Sequence, residues 1–282
     1  MTEFDKWLKE LIEKAFEEDI KTGDHTSLAC IPPQTHGKAK LLIKEEGVLA
    51  GMEIAKKVFL YCDPSLKITQ LLNDGDKVKN GDIGLFVEGS VLSILKSERL
   101  VLNIMQRMSG IATLTNKFVE AVKDTNAKIL DTRKTTPTLR YLEKLAVKIG
   151  GGHNHRMGLY DMIMIKDNHI DYAGGIKQAI TKVNDYLQKH NLPLKIEIEA
   201  RNLSEVETIL QTGSIDRIML DNFSIEDTIK AVKLINKTVE TESSGGIGLH
   251  NVRDYALCGV DYISVGALTH KFQSLDISLK AI

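Results

Sequence analysis

The spacing of apolar residues changes several times along the chain, and each change predicts a new element. Apolar residues between positions 4 and 16 recur at helical spacing with Lys and Glu between them, which predicts an amphipathic first helix. Lysines alternate with apolar residues between positions 37 and 51, which predicts two short strands, and a helix is predicted over 52–61. From Ser90 helical spacing returns in a segment so apolar that its helix should be largely buried. The pattern breaks at Ser109-Gly110, where we place a domain boundary.

Beyond that boundary, short apolar runs alternate with helical segments, which is typical of βαβ units and a parallel sheet. The predicted strands cover residues 128–132, 162–166, 195–199, 217–220, 238–242 and 261–265. The predicted helices between them cover residues 138–148, 175–188, 203–212, 225–236 and 251–258. This alternation predicts an α/β barrel or an incomplete one.

Two turn-rich stretches precede the long apolar helix. Gly23-Asp24-His25-Thr26 and Pro32-Pro33 are interpreted as a loop, in which His25 is a capping or loop residue. Residues 74–82 contain the pattern G-D-x-V-x-x-G-D, which also occurs in biotinyl and lipoyl carrier domains. Because no lysine stands between apolar residues at a hairpin tip there, we interpret the pattern as turn chemistry.

The charge balance and the cysteines narrow the class of protein. The 282 residues include 37 Lys and Arg and 38 Asp and Glu, so the net charge of -1 gives no general attraction to nucleic acid or anionic membranes. Cys30, Cys62 and Cys258 form no CxxC pair, which disfavours a disulfide framework or a zinc site and fits a reducing cytoplasm. No apolar segment resembles an export signal or approaches the roughly 18 residues that span a bilayer. We therefore expect a soluble cytoplasmic protein with one large or two unequal domains.

Basic residues concentrate around the first two predicted strands of the barrel. The stretch between positions 129 and 170 contains Arg133, Lys134, His153, His155, Arg156 and Lys166. Residues just past the carboxyl ends of parallel strands meet on one face of an α/β barrel, where such folds keep their active sites. The cluster therefore indicates a site for a small polyanion rather than a set of solvated surface charges.

Acidic residues on a later strand face the same region. The segment 195–199 reads KIEIE, and its period-2 alternation places Glu197 and Glu199 on one face, which should be the inner face of the barrel. An inward carboxylate requires a cation, a metal or a substrate hydroxyl as its partner. A structural ion pair with Lys134 or Lys166 is the alternative.

The last two strand ends are small and rich in glycine. Ser244-Gly245-Gly246 runs into a predicted helix near His250, and Gly266 follows Ser264 and the final strand. Backbone N–H groups and a helix N-terminus bind phosphate after the last two strands of many barrels, so a phosphate site is predicted there. His270 is either a further donor to that site or a surface residue.

The long apolar helix also carries charges. Arg99 is one of them, and an unpaired buried charge costs several kcal/mol, an order-of-magnitude figure. Arg99 therefore pairs with a neighbour such as Glu98, or it serves an anionic ligand or a partner subunit.

Ordered motifs in the chain resemble those of the quinolinate phosphoribosyltransferase family, also called nicotinate-nucleotide pyrophosphorylase (carboxylating). They are DTRKTTP at 131–137, GGGHNHRMGL at 150–159, IKDNHI at 165–170, LDNF at 220–223, ESSGGI at 242–247 and DYISVGALTH at 261–270. The segments EDIKTGDHT at 18–26 and SERLVLNIMQRMSGIAT at 97–113 extend the resemblance over nearly the whole chain. A molybdenum-associated paralogous family shares part of this pattern, but NHR at 154–156 and KDNH at 166–169 favour the quinolinate family.

The resemblance implies a fold and a set of roles. It implies an N-terminal α/β sandwich domain at 1–110, joined by 272–282, and an incomplete α/β barrel of the type II phosphoribosyltransferase kind at 111–271. It implies a homodimer with shared active sites, or a hexamer built from such dimers, and it assigns Arg99 to a quinolinate contact in the neighbouring subunit. The other substrate contacts that it implies are Arg133, His155 and Arg156 for the two carboxylates, and Ser244, Gly245, Gly246, Ser264, Gly266 and His270 towards the 5-phosphate. The implied catalytic residues are Lys134, Lys166, Glu199 and Asp221, and the last two are also the implied Mg2+ residues, directly or through substrate-bound Mg2+.

The implied reaction transfers phosphoribosyl from phosphoribosyl pyrophosphate to quinolinate and releases pyrophosphate and carbon dioxide, which gives nicotinate mononucleotide for NAD biosynthesis. Neither a nucleic acid nor a membrane is expected as a partner. A Schiff-base aldolase is the rival enzyme, because Lys134 and Lys166 lie where barrel aldolases carry their lysine. Borohydride trapping with a carbonyl substrate would identify an aldolase, and a biotinyl or lipoyl mass increment would identify a carrier.

Overall fold

The structure, a computed structural model, describes residues 2–282. Its helices are α1 (Glu3–Ile20), α2 (His25–Cys30), α3 (Met52–Cys62), α4 (Val91–Val122), α5 (Arg140–Ile149), α6 (Asp167–Ala173), α7 (Ile176–His190), α8 (Leu203–Thr212), α9 (Ile225–Ile235), α10 (Val252–Leu257) and α11 (Ala267–His270). Its strands are β1 (His36–Ile43), β2 (Gly47–Val48), β3 (Lys67–Gln70), β4 (Lys77–Val78), β5 (Ile83–Ser90), β6 (Lys128–Leu130), β7 (Ile163–Ile165), β8 (Ile196–Ala200), β9 (Arg217–Asp221), β10 (Glu240–Ser244), β11 (Tyr262–Ser264) and β12 (Ile277–Ala281).

The chain divides into two compact units. The first takes the chain as far as Leu114, together with Tyr141–Gly150 and Phe272–Ile282. The second comprises Thr115–Arg140 and Gly151–Lys271. The division predicted from the sequence, 1–110 with 272–282 and then 111–271, stays a prediction.

The first unit contains an antiparallel sheet with the strand order β12-β1-β5-β3. Ala39, Leu41 and Ile43 of β1 are buried, whereas Lys38 is exposed and Lys40 half-buried. This is the alternation that predicted a half-buried strand, and the prediction is confirmed.

The turn chemistry predicted for residues 74–82 is also confirmed. The amide of Asn73 donates to Asp76 Oδ2 at 2.7 Å, and the amide of Lys79 donates to Asp82 Oδ2 at 2.9 Å. Such side-chain to backbone bonds are what make aspartate common in tight turns.

The helix break predicted at Ser109-Gly110 is wrong, because α4 continues to Val122. Both residues form tertiary contacts instead of ending the helix. Ser109 Oγ donates to the carbonyl of Ala50 at 3.1 Å and accepts from its amide at 2.9 Å. A Cβ at position 110 would lie 2.1 Å from the carbonyl oxygen of Gln273, so only glycine fits this approach.

A further helix lies in a segment that was predicted to be a loop. Asp24 caps α2 by accepting from the amide of Ser27 at 3.1 Å, and His25 is the first residue of the helix. The prediction of a continuous loop is therefore wrong over this short segment, where an N-cap aspartate starts a helical turn.

The second unit is built on a six-stranded parallel sheet with the order β6-β11-β10-β9-β8-β7. All six predicted strands are present within two residues of their predicted bounds. Strands β6 and β7 form the two edges of the sheet, which makes the barrel incomplete as predicted. The predicted helices are present as α5 and α7 to α10, whereas α6 and α11 were not predicted. Among residues 2–282, no helix combines the length and the apolarity that crossing a bilayer requires.

Candidate active site

A pocket of about 490 Å³ lies at the carboxyl ends of the parallel strands. It is lined by Thr132, Arg133, Lys134, His155, Arg156, Met164, Lys166, Asp167, Glu199, Met219, Asp221, Glu242, Ser244 and Ser264. Every one of the six strands of the sheet contributes a residue at or near its carboxyl end. The structure therefore brings together the strand-end residues that the sequence singled out from β6 to β11.

Two arginines give the pocket its positive side. Within residues 2–282, neither Arg133 nor Arg156 forms an ion pair with a carboxylate. Arg156 Nη1 donates to the carbonyl of Met162 at 3.2 Å, which fixes one end of its guanidinium. Burial and the nearby positive charge of Arg133 lower the pKa of Arg156. Two guanidinium groups that repel each other in one pocket favour an anionic ligand between them.

The loop that carries Arg133 is braced by a residue that the sequence analysis missed. Arg140 Nε donates to Thr135 Oγ1 at 2.9 Å, and its Nη1 donates to the carbonyl of Met157 at 3.0 Å. These bonds connect the segment after β6 with the segment after Arg156. No local pattern in the sequence marks Arg140, because its partners lie on two separate loops.

The two predicted lysines differ in their pairing. Lys166 Nζ lies 2.5 Å from Glu199 Oε1, so the structural ion pair considered for Glu199 is present. Lys134 forms no such pair in the described part of the chain, and its backbone is held by Thr269 Oγ1, which donates to its carbonyl at 2.7 Å. Asp221 Oδ2 accepts from Asn222 Nδ2 at 2.8 Å. Among the described residues, the pocket thus offers one unpaired ammonium, that of Lys134, and two carboxylates that have no cationic partner, those of Asp221 and Asp167.

Two glycines, Gly245 and Gly246, directly follow Ser244, the pocket-lining residue at the end of β10. Gly245 and Gly246 have φ angles of 95° and 61°, and a Cβ at Gly245 would lie 2.2 Å from Asn222 Oδ1. The amide of Asn222 in turn donates to the carbonyl of Ser244 at 2.8 Å. The following helix begins at Val252, slightly later than the predicted start near His250.

Gly266 and His270 lie beside Lys134. A Cβ at Gly266 would lie 3.0 Å from Lys134 Cδ and 3.2 Å from His270 Nε2. The predicted phosphate-end residues after β11 are therefore adjacent to a pocket lysine.

A buried charge network includes two residues of the pocket lining, His155 and Glu242. His155 Nε2 lies 2.9 Å from Glu197 Oε2 and 3.5 Å from Glu242 Oε2, and both carboxylates are fully buried. Arg217 Nη1 donates to Glu242 Oε2 at 3.0 Å and Nη2 donates to Glu240 Oε2 at 3.0 Å. The alternation in KIEIE predicted the inward direction of Glu197, but nothing in the sequence paired it with His155.

Protons are held tightly in this network. Burial would lower the pKa of His155, but hydrogen bonds to Glu197 and Glu242 outweigh burial and raise it to about 9. Burial and the charge of Glu242 raise the pKa of Glu197 to about 7. Burial would also raise the pKa of Glu242, but its contact with His155 outweighs burial and lowers it, so the two buried carboxylates hold a proton with different strengths.

The same three residues form the group whose composition suits a metal. Ligand atoms of His155, Glu197 and Glu242 all lie within 4.8 Å of one another. Arg217 already supplies a cation to Glu242, at 3.0 Å. The residues predicted for Mg2+, Glu199 and Asp221, lie outside this group, on the pocket lining.

Asp131 holds the segment that carries His155. Its Oδ1 accepts from the amide of His155 at 2.9 Å, and its Oδ2 accepts from Asn154 Nδ2 at 2.5 Å. Asp131 is fully buried. It stands first in the DTRKTTP motif, so the motif marked it although the sequence analysis gave it no role.

Arg99 belongs to the first unit and is exposed on α4. The pairing with Glu98 that the sequence left open is not formed in the part of the chain that the structure describes. Because Arg99 is exposed, the cost of burying its charge does not arise within this chain, and its contact with quinolinate in a neighbouring subunit stays a prediction.

Two family models match the chain. The model described as "Quinolinate phosphoribosyl transferase, N-terminal domain" matches residues 24–109, and "Quinolinate phosphoribosyl transferase, C-terminal domain" matches residues 111–280. "Quinolinate phosphoribosyltransferase [decarboxylating] 1b" of Nicotiana tabacum is 48% identical over 288 residues, which cover 97% of this chain and 82% of the relative. "Probable nicotinate-nucleotide pyrophosphorylase [carboxylating]" of Bacillus subtilis is 42% identical over 272 residues, which cover 96% and 92%.

Solved structures agree with these matches. The crystal structure of NadC from Streptococcus pyogenes is 38% identical with a TM-score of 0.93, and the alignment covers 100% of this chain and 99% of that one. The nicotinate-nucleotide pyrophosphorylase from Francisella tularensis is 39% identical with a TM-score of 0.92, and the alignment covers 98% and 96%.

Proposed function

The chain belongs to the quinolinate phosphoribosyltransferase family, and from this membership and its cationic pocket we infer that it transfers phosphoribosyl from phosphoribosyl pyrophosphate to quinolinate. The reaction releases pyrophosphate and carbon dioxide and yields nicotinate mononucleotide for de novo NAD biosynthesis. The enzyme is therefore a decarboxylating pentosyltransferase.

The observation that carries this proposal is the pair of arginines without carboxylate partners. Arg133 and Arg156 lie close enough for one charge to lower the pKa of the other, on one side of the pocket. Quinolinate carries two adjacent carboxylates, and each planar guanidinium can bind one of them bidentately. Bound quinolinate would thereby neutralise the repulsion between the guanidinium groups of Arg133 and Arg156.

The phosphoribosyl donor would occupy the opposite, glycine-rich end. Gly245 and Gly246, which follow Ser244 at the end of β10, present backbone at positive φ, and a backbone without side chains can approach a phosphate closely. Lys134 and His270 lie beside Gly266 and offer further donors. We assign the 5-phosphate to this end.

The chain's residues mainly position the substrates and neutralise charge. As pyrophosphate leaves the anomeric carbon, oxocarbenium character develops, and carboxylates such as Asp221 can stabilise it while Lys134 and Lys166 neutralise the leaving group. Once the ring nitrogen is alkylated, the pyridinium itself accepts the electron pair left by carbon dioxide, and the carbon is then protonated. Positioning supplies about 7–11 kcal/mol in well-oriented reactions, so no single residue needs to be an indispensable acid or base.

We propose Mg2+ as the cofactor. Mg2+ prefers hard oxygen ligands and is usually held by one or two carboxylates together with substrate phosphates. Asp221 has no cationic partner within residues 2–282, whereas Glu199 shares its charge with Lys166, so Asp221 fits such an ion better than Glu199 does. Bound Mg2+ would neutralise charge on the departing diphosphate.

We further propose a homodimer in which Arg99 contributes to the pocket of the partner subunit, with a hexamer built from such dimers as the larger alternative. The support is that Arg99 is exposed and forms no ion pair within the described residues. The cytoplasm remains the proposed location, supported by three free cysteines.

The proposed function is tested by measuring labelled carbon dioxide from quinolinate labelled separately in its 2- and 3-carboxyl groups. The purified protein is assayed with and without phosphoribosyl pyrophosphate and Mg2+, and the product is identified by mass spectrometry. We expect release from the 2-carboxyl only, dependent on both additions, with one nicotinate mononucleotide formed per carbon dioxide. A folded protein that releases no label under any condition would refute the proposal and would direct attention to the acceptor of the molybdenum-associated family.

A further inference from the structure

Arg140 contacts both of the loops that carry the pocket arginines. Its Nε donates to Thr135 Oγ1 at 2.9 Å, and its Nη2 donates to the carbonyl of Arg133 at the longer distance of 3.4 Å. Its Nη1 donates at 3.0 Å to the carbonyl of Met157, the residue directly after Arg156. One side chain therefore links a backbone atom of Arg133 with a backbone atom next to Arg156.

The peptide groups of Met157 are held at both ends. The carbonyl of Met157 accepts from Arg140, and its amide donates to Asp161 Oδ2 at 2.6 Å. Asp161 Oδ1 also accepts from the amide of Gly158 at 2.8 Å. The segment that follows Arg156 thus has bonds of its own, and Arg140 connects this ordered segment to the loop after β6.

The chemistry of this link favours arginine. A guanidinium group is planar, and its five N–H donors have fixed directions, so the acceptors that it binds are held at fixed positions relative to one another. The acceptors of Arg140 are neutral oxygens, and among residues 2–282 it forms no ion pair. Arg140 is half-buried and does not line the pocket. Any effect of Arg140 on a ligand is therefore exerted through the residues that it holds.

We propose that Arg140 is a positioning residue that sets the spacing of Arg133 and Arg156, and that this spacing selects a ligand with carboxylates on adjacent ring carbons. The inference rests on the proposed function, which assigns these two guanidinium groups to the carboxylates of quinolinate. Two loops that moved independently would accommodate carboxylates at several separations. Two loops joined by a rigid guanidinium are preorganised for one separation.

The first test compares quinolinate, which is pyridine-2,3-dicarboxylate, with pyridine-2,4-dicarboxylate, whose carboxylates are further apart. Calorimetry gives both dissociation constants for the parent and for Arg140→Lys, which keeps the charge but has a single ammonium in place of the fork. We expect the parent to prefer quinolinate. Arg140→Lys should lose quinolinate affinity about 10- to 100-fold, as a misplacement of about 1 Å can cost, and should change its affinity for the isomer less than about threefold. A parent without this preference, or a variant that loses affinity for both isomers equally, would overturn the proposal.

A second substitution separates the charge of Arg140 from its hydrogen bonds. Arg140→Met keeps much of the aliphatic stem and removes both the charge and the donors. If the bonds set the spacing, Arg140→Met and Arg140→Lys should lose the preference for quinolinate to a similar extent. If Arg140 acted through its electric field, the lysine variant would retain the preference and the methionine variant would lose it, which would contradict the proposed role.

Substitutions of Thr135 test the same link if the Arg140 variants fail to fold. Thr135→Val removes the acceptor of Arg140 Nε, whereas Thr135→Ser keeps a hydroxyl there. We expect Thr135→Val to reduce the preference for quinolinate at least about threefold, since one hydrogen bond to a charged group is lost, and Thr135→Ser to stay within about twofold of the parent. A folded Thr135→Val with the preference of the parent would refute the link.

Steady-state kinetics distinguish positioning from general structural damage. Arg140→Lys should raise the KM for quinolinate and leave the KM for phosphoribosyl pyrophosphate within about twofold of the parent. Arg253→Lys is a matched control, because Arg253 Nη1 also donates to a backbone carbonyl, that of Ala121 at 3.0 Å, and Arg253 does not line the pocket. The control should keep both KM values and the preference for quinolinate. Equal increases of both KM values in Arg140→Lys would show a merely structural role.

The proposed function and the role of Arg140 fail in different ways. Label release by the parent enzyme decides the proposed function, whereas the binding of the two isomers is measured without turnover. An active parent whose preference for quinolinate is unchanged in Arg140→Lys would refute only the role of Arg140.

Discussion

The loop after β10 allows a sharp comparison of two neighbouring glycines. A Cβ at Gly245 would lie 2.2 Å from Asn222 Oδ1 and 2.9 Å from the Asn222 backbone nitrogen, whereas a Cβ at Gly246 would meet nothing within 4 Å. Both residues have positive φ, at 95° and 61°. Gly245→Ala and Gly246→Ala should therefore both lose stability because alanine is strained at positive φ. Only Gly245→Ala must also displace Asn222.

The magnitudes follow from the contacts. Placing an L-residue in a left-handed conformation costs roughly 1–2 kcal/mol in either variant. Gly245→Ala must also move Asn222, whose Nδ2 donates to Asp221 Oδ2 at 2.8 Å and whose amide donates to Ser244. Losing a hydrogen bond to a charged group adds about 1.5–3 kcal/mol, which brings Gly245→Ala to about 3–5 kcal/mol. At roughly 2–4 °C per kcal/mol, we expect the thermal midpoint to fall by about 10 °C for Gly245→Ala and about 4 °C for Gly246→Ala.

The assay combines thermal unfolding with the KM for phosphoribosyl pyrophosphate. Because Asn222 orients Asp221 beside the assigned phosphate end, Gly245→Ala should raise this KM about tenfold more than Gly246→Ala, which corresponds to about 1.4 kcal/mol. The KM for quinolinate, which binds at the arginine side, should differ little between the two variants. Equal midpoints and equal KM values in the two variants would refute the reasoning from Asn222.

Three further substitutions test other parts of the molecule. Arg133→Lys keeps the charge but loses the bidentate fork, so calorimetry should show weaker quinolinate binding, and unchanged affinity would mean that the fork is not used. Arg99→Ala and Lys134→Ala should each be inactive alone, but an equal mixture of the two should regain about a quarter of the parent activity. After random subunit exchange about half of the dimers are mixed, and one of the two sites in each mixed dimer is intact. Exchanged dimers that recover no activity would contradict a shared site. Arg107→Met removes a guanidinium that lies 2.5 Å from the fully buried carboxylate of Glu143. Denaturant unfolding should therefore show a free energy of unfolding that is lower by about 3–5 kcal/mol. A decrease of less than about 1 kcal/mol would contradict a stabilising role of this ion pair.

The sequence predicts the second unit well because its strands are short apolar runs between turn signals. Ile196 and Ile198 flank Glu197 in strict alternation, and the structure confirms both the strand and the burial of the glutamate. The convergence of strand-end residues followed from the topology of parallel sheets, so the pocket could be outlined before its geometry was known.

What the sequence could not predict depends on contacts between distant segments. Ser109-Gly110 has the composition of a helix end, but the helix continues because Ser109 bonds to Ala50 and Gly110 allows the close approach of Gln273. Both contacts join residues that are far apart in the sequence, so no local pattern could predict them. The same limit applies to His155, because its partner Glu197 comes from another strand and was visible only as an inward carboxylate. Helix α6 was missed because it starts directly after β7, in residues whose charges pointed to the site.

Strand β12 has a consequence for how the protein is made. It pairs with β1 through partners such as Leu41 with Leu279 and Ile43 with Ile277, although it follows every strand of the parallel sheet along the chain. Domains ordinarily fold in N-terminal order as they leave the ribosome, but here translation of the whole second unit must finish before the first sheet receives its edge strand. Throughout that interval β1 exposes an unpaired edge, to which another chain could add a strand and start aggregation. Lys38 and Lys40 of β1 are charged residues of the kind that disfavour such pairing at an exposed edge.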